Sequence, residues 1–213
     1  ADRIYIAEQG LCHVLDAATG ETLMDIALPQ DDETEPHEWG FMGVYEDVLI
    51  GGVGFAKYTV RNELSPEDID GPAAGKKAVF GSKSLERAAS LSLVGFDRHS
   101  GKQLWKVDAA HSFWHNGIVA GNGRIFVLDK NPKPVEEALK RRGRVIPDTY
   151  RIMAFDVHDG SKLWETTDGI FGTWLGYSSQ RDLLLQAGAA ASDRLAAEVG
   201  QGMTVYRGSD GAV

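Results

Sequence analysis

The chain has 213 residues, 43% of them hydrophobic and 25% charged, with a formal net charge of −9. A chain this acidic is a poor match for a nucleic-acid backbone, the one basic cluster, Lys140-Arg141-Arg142-Gly143-Arg144, reads as the solvated end of a short helix, and no apolar run approaches the roughly 20 residues of a membrane-spanning helix. Cys12 is the only cysteine, which excludes an intrachain disulfide and any Cys-rich metal site. The opening Ala1-Asp2-Arg3-Ile4-Tyr5 shows no signal-peptide pattern.

Apolar–polar alternation punctuated by Gly and Asp predicts strands throughout. A first group of three falls at Arg3–Ala7, Leu11–Asp16 and Thr22–Leu28. Four follow at Trp39–Val44, Val48–Gly54, Ser92–Asp97 and Gln103–Val107, and four more at Trp114–Ala120, Arg124–Asp129, Arg151–Asp156 and Lys162–Thr166. The last group has three, Trp174–Ser178, Asp182–Ala187 and Met203–Arg207. Long segments at 56–91, 130–150 and 188–202 each join the second strand of a group to its third, where the first group uses only Glu8-Gln9-Gly10. Short helices are expected in two of them, at Pro134–Arg142 and at Asp193–Val199 behind the N-cap residue Ser192.

A hairpin motif recurs between the third and fourth strands of a group. Gly95-Phe96-Asp97-Arg98-His99-Ser100-Gly101-Lys102-Gln103-Leu104-Trp105 is repeated as Ala154-Phe155-Asp156-Val157-His158-Asp159-Gly160-Ser161-Lys162-Leu163-Trp164. A weaker copy carries Asp16 and Gly20 at the same offsets, with Met24 in place of Trp, and a fourth begins at Val205 with Arg207 in the Asp position. The Asp side chain bonds backbone N–H groups of the turn, the Gly supplies a positive φ, and the Trp on the returning strand fills the gap to a neighbouring sheet.

This Ala-x-Asp-x-x-x-Gly-Lys-x-x-Trp pattern resembles the tryptophan-docking signature of the PQQ-like β-propeller repeat family. It is matched by Asp97, Gly101, Lys102 and Trp105, and again by Ala154, Asp156, Gly160 and Trp164. The resemblance implies an all-β array of about four four-stranded antiparallel blades, with strands lettered A (innermost) to D. The blades fall near 1–28, 39–107, 114–166 and 174–213 within one propeller segment, the first lacking strand A and the last lacking strand D. Open blade edges pair readily with other strands, so a homodimer, or contact with further parts of the protein, is expected there.

In an up-and-down blade the B–C links and the links from D to the next A emerge on one face, so all three insertions decorate a single rim. Each complete A strand opens with tryptophan, and Trp39, Trp114 and Trp174 are candidates to ring the mouth of a channel, with His37, His111, His115 and Asn116 beside them. That set would stack a planar or sugar-like ligand and offer polar groups at its edge. Packing between blades would produce the same repeated position, and both readings stand. His111 and His115 lack a third ligand, so no metal site is assigned. His13, His99 and His158 are expected to make local hydrogen bonds only. No nucleophile elbow, Walker loop or dinucleotide-binding glycine motif is present.

The first functional reading is therefore a non-catalytic module that binds an unknown protein or small-molecule ligand through the decorated rim. The second is part of a PQQ- and calcium-dependent dehydrogenase oxidising alcohols or sugars. The resemblance implies a periplasmic or extracellular location for either. Against the second, the vicinal Cys-Cys pair of the alcohol-oxidising enzymes of that family has no counterpart in a chain with one cysteine.

Overall fold

The computed structural model of the chain describes residues 2–8, 10–30, 37–55, 88–130, 150–188 and 202–213, and every regular element among them is a β-strand. The helices expected at Pro134–Arg142 and Asp193–Val199 lie outside the described residues. β1 (Arg3–Glu8), β2 (Leu11–Asp16) and β3 (Thr22–Ala27) form an antiparallel three-stranded sheet. β4 (Trp39–Tyr45), β5 (Val48–Val53), β6 (Ala89–Asp97), β7 (Gln103–Gly121), β8 (Arg124–Asp129), β9 (Arg151–Asp156) and β10 (Lys162–Thr166) lie in a seven-stranded sheet, ordered β10-β9-β8-β7-β6-β5-β4. β11 (Trp174–Ser178), β12 (Leu183–Ala187) and β13 (Met203–Arg207) make a second three-stranded sheet. The described strands form an array of antiparallel propeller-type blades.

Several strand ends move by one residue from the sequence expectation, and two boundaries differ by more. β6 begins at Ala89 rather than Ser92, because Ala89 and Ser90 pair with Trp114 and Phe113. The strands expected at Gln103–Val107 and Trp114–Ala120 are one element, β7, which pairs with β6 and then, beyond irregular positions, with β8. The outermost strand of the second blade thus runs on as the innermost strand of the third, and the two blades share a sheet.

Alternate residues of each strand face opposite neighbours, so three buried clusters lie between successive blades. Cys12, Val14, Ile26, Trp39, Leu49 and Phe96 pack between the first and second. Ile50, Leu93, Trp105, Ile125, Val127 and Phe155 pack between the second and third, and Phe126, Ile152, Ala154, Leu184 and Tyr206 between the third and fourth.

The hairpin turns form as their residues dictate. Asp16 Oδ1 accepts the N–H groups of Ala18 and Thr19, Asp97 Oδ1 those of His99 and Ser100, and Asp156 Oδ1 that of His158. Gly20, Gly101, Gly160 and Gly211 follow with φ of 75°, 71°, 72° and 73°. The residue after each Asp position donates its N–H to a carbonyl just before the blade's B strand: Ala17 to Asp2, Arg98 to Asp47, Val157 to Gly123 and Gly208 to Asp182.

Each of these turns but one then receives a side chain from the preceding blade. Trp105 lies over Gly160, where an added Cβ would stand 2.8 Å from the ring, and its Nε1–H donates to Val157 O at 2.8 Å. Trp164 lies over Gly211 in the same way and donates to Gly208 O at 2.8 Å. Between the first two blades, the side chains of Ile26 and Met24 share the place over Gly101, and neither an alkyl group nor a thioether sulfur has a proton to donate. The corresponding carbonyl, that of Arg98, is instead taken by the guanidinium of Arg3, while Arg98 itself pairs with Asp2 at 2.9 Å. Nothing lies over Gly20 among the described residues.

Of the histidines near the turns, His13 is 2.7 Å from Asp25, His99 reaches Asp47 of the same blade at 2.8 Å, and His158 stands 3.9 Å from Glu46 of the preceding blade.

Truncating Trp105 empties a packed junction and orphans a buried carbonyl, so Trp105→Ala should cost about 3–5 kcal/mol in urea unfolding. Gly160→Val should also destabilise, because a branched side chain meets both the indole and a positive φ. Acid should weaken the turns in a defined direction. Hydrogen bonds from Thr19 and Ala18 hold the Asp16 carboxyl below its usual range, and those from Ser100 and His99 do the same for Asp97. A folded-state value below the unfolded one means that this stabilisation is complete above about pH 4 and is lost as pH falls through the folded value. Asp97→Asn should therefore flatten the acid limb of a plot of Tm against pH.

Candidate functional site

The strand directions carry the long B–C segments and the D-to-A links to one face, opposite the hairpin turns. Gly54 N donates to Glu38 O and His115 N to Ala88 O, so the residues flanking the first insertion are tied to the starts of the A strands. Lys130 and Tyr150, at the two ends of the second insertion, lie close together, with Nζ 5.6 Å from the Tyr150 ring centroid.

The three tryptophans do not share a role on this face. Trp39 is buried: its Nε1–H donates to Gly10 O at 3.1 Å, its ring lies 5.8 Å from Phe96, and the missing Cβ of Gly51 leaves room for it. Trp114 is buried too, with Nε1–H on Lys130 O at 2.8 Å and its ring in the cluster between the third and fourth blades. With Trp39 and Trp114 buried, packing between blades is the reading that describes these two positions. A residue at the start of a strand faces whichever side the local bulges dictate, and both β4 and β7 are irregular at this point. Trp174 alone of the three is exposed, at 44%.

The polar candidates are more dispersed than the sequence suggests. His115 Nε2 is 2.9 Å from the buried Ser90 Oγ, with the rings of Phe41 and Phe55 each at 6.1 Å. His111 stands edge-on to Tyr150 at 5.3 Å. His37 is half-buried beside Gly54, and Asn116 is exposed.

A buried polar cluster at the end of β8, which sequence reasoning missed, organises the face. The Asp129 side chain is fully buried, and its carboxylate accepts the N–H groups of Ala110, His111 and Ser112, each at 2.9 Å. It thereby satisfies the irregular stretch of β7 between its pairing with Ser92 and its pairing with Ser90 of β6. Arg151 Nε stands 3.7 Å from the same carboxylate. Next to it, the Lys130 carbonyl accepts from Ser112 Oγ and Trp114 Nε1, and Lys130 Nζ reaches Gly172 O of the fourth blade at 2.9 Å. Buried Gln186 continues the line: its Nε2 donates to Phe171 O at 2.7 Å, and it accepts the Tyr206 hydroxyl at 2.6 Å. Burial pushes that phenol above its ordinary value. In the sequence, Asp129-Lys130 is an ordinary strand end; a charged pair closing an otherwise apolar strand was the only available signal.

Chemically, the cluster is a support. Its carboxylate is occupied by backbone donors and its lysine by a carbonyl, so it shapes the ground beneath the insertions. Among the described residues, no group of three or more His, Cys, Asp or Glu could hold a metal ion.

Repeated hairpins, blade-by-blade packing and indole-capped turns define a PQQ-like β-propeller array. The chain belongs to that family: the family model described as outer membrane protein assembly factor BamB matches residues 61–213. No curated protein matches the chain in sequence. Among solved structures, a europium-containing methanol dehydrogenase is similar over 100% of this chain and 39% of its own, at 10% identity and a TM-score of 0.57. BamB from Moraxella catarrhalis matches over 79% of this chain and 36% of its own, at 15% identity and a TM-score of 0.40. The quinohemoprotein alcohol dehydrogenase ADHIIG from Pseudomonas putida HK5 matches over 86% and 26%, at 13% and 0.44. The chain thus spans less than half the length of each, and at such identities the likeness concerns the fold.

Asp129→Ala would leave three backbone N–H groups without an acceptor and should cost on the order of 3 kcal/mol or more in urea unfolding. Trp114→Ala should be comparably damaging, whereas Trp174→Ala, at a half-exposed side chain, should cost clearly less.

Proposed function

We propose that the chain is a non-catalytic PQQ-like propeller module that binds a protein partner through the face bearing the B–C insertions. The observation that carries this reading is the asymmetry between the two faces. On one, the hairpin turns are short and closed by a repeated backbone bond; on the other, the second and third long segments begin beside the buried polar residues Asp129, Lys130 and Gln186. Long segments on a rigid scaffold are where binding residues concentrate. The matched family model is named for an assembly factor of outer membrane proteins, which favours a protein partner over a small ligand and supports a periplasmic or extracellular placement.

The dehydrogenase reading finds less support. Calcium takes 6–8 oxygen ligands, and Asp129, the buried carboxylate on this face, already accepts three backbone N–H groups beside Arg151. The described residues do not fit the ion, and Trp39 and Trp114 have no free ring face for a quinone.

Photo-crosslinkers placed at Asn116 on the insertion face and at Ala18 on the turn face test the reading in the producing cell. A defined protein adduct from position 116 and none from position 18 is expected. Equal adducts from both positions would contradict it. So would saturable quenching of tryptophan fluorescence by PQQ and calcium accompanied by dye-linked alcohol oxidation.

A further inference from the structure

The chain carries two Asn-Gly pairs, Asn116-Gly117 within β7 and Asn122-Gly123 in the turn that follows it. Asparagine before glycine is open to attack by its own backbone, because no Cβ shields the glycine nitrogen from the asparagine side chain. The two pairs are held very differently. Asn122 and Gly123 form the β7–β8 turn with φ of 50° and 73°. Both reacting groups are engaged there: Asn122 Nδ2 donates to Ser179 O of the fourth blade at 2.9 Å, and Gly123 N to the Tyr45 hydroxyl of the second at 2.9 Å. Asn116 lies between Trp114, the last residue of β7 paired with β6, and Ile118, where pairing with β8 resumes. It belongs to neither ladder and is exposed, and among the described residues no hydrogen bond holds its side-chain amide. The third blade is internal to the array, packed against the second and the fourth, so this exposure does not arise at an end of the chain. Gly117 is buried against Leu128, whose Cβ would stand 2.6 Å from an added Cβ.

We propose that Asn116 is a site of spontaneous deamidation in the native protein and that Asn122 is its protected counterpart. The Gly117 backbone nitrogen, once its proton has passed to a base in solvent, attacks Asn116 Cγ. A bond forms between that nitrogen and Cγ, the Cγ–Nδ2 bond breaks, and the amide nitrogen takes up a proton and leaves as ammonia. Water then adds to one of the two carbonyls of the resulting succinimide and reopens it as aspartate or isoaspartate; no oxidant or metal takes part. Either product puts a negative charge where a neutral amide stood. Isoaspartate also adds a methylene to the main chain, which lifts Gly117 off its seat on Leu128 and loosens the join between β7 and β8. The same reaction at Asn122 must first break two hydrogen bonds, each worth roughly a factor of five. The chemistry rests on local backbone geometry, and the proposal stands independently of the function proposed for this face.

The test is an ageing experiment on the folded chain at mildly alkaline pH, below its unfolding temperature. Both sites are followed by peptide mapping with mass spectrometry, and isoaspartate is scored by enzymatic methyl transfer. Conversion at position 116 is expected to run roughly thirtyfold faster than at position 122. In urea the two pairs should react at similar rates, because each is an asparagine followed by glycine in an unfolded chain. Tyr45→Phe removes the acceptor of the Gly123 N–H and should speed position 122 about fivefold in the folded chain, with position 116 unchanged. Equal rates at the two sites of the folded chain, or a faster reaction at 122, overturn the proposal. So does a folded chain whose Asn116 stays intact while the unfolded chain reacts. A preference for 116 that persists unchanged in urea also overturns it, because the fold would then have no part in the choice. If Tyr45→Phe leaves position 122 as slow as in the wild type, the assigned protection is wrong.

Discussion

The array depends on one contact repeated at its junctions: a side chain from one blade laid over the glycine turn of the next, with a proton donor for the carbonyl beneath it. Strands within a blade hold each other by backbone bonds, but apart from the sheet that the second and third blades share through β7, successive blades meet through side chains and need a fixed register. The turn glycine supplies a flat seat, the indole fills it, and Nε1–H fixes its angle by bonding Val157 O or Gly208 O. The first junction shows which parts are separable. Ile26 and Met24 supply bulk without a donor, and Arg3 reaches across to supply the donor without the bulk.

With blade register fixed on the turn face, the opposite face can vary. β7 crosses from one blade to the next in a single strand, and the backbone it leaves unpaired is answered by Asp129. That buried carboxylate, the Lys130 carbonyl and Gln186 turn the bases of the second and third insertions into a stiff platform. Long segments can change there without disturbing the packing below, which links the stability of the array to its proposed use as a binding scaffold.

Most of the strand pattern was legible in the sequence, because period-2 alternation and the Asp-to-Gly-to-Trp spacing are local properties. Boundaries slipped by more than a residue where pairing is long-range, as at Ala89, whose place in β6 depends on Trp114. The site was far less legible. Trp39, Trp114 and Trp174 look equivalent in the sequence, but bulges send the first two into packed junctions and leave the third exposed. Asp129 gave little sign of its role, since its partners lie 17–19 residues away on another strand. The exchange of an indole for Arg3 links positions 95 residues apart and has no local signature.

The most direct test of the junction account is a double-mutant cycle between Met24→Trp and Arg3→Ala, followed by urea unfolding. In the natural background Arg3→Ala should destabilise, because it orphans the Arg98 carbonyl. In the Met24→Trp background the introduced indole N–H takes that carbonyl, and the same substitution should cost little. The coupling between the two sites is expected to be about 1 kcal/mol or more. Strictly additive effects would contradict the account, because they would mean that the carbonyl beneath the turn does not need the donor that each junction provides.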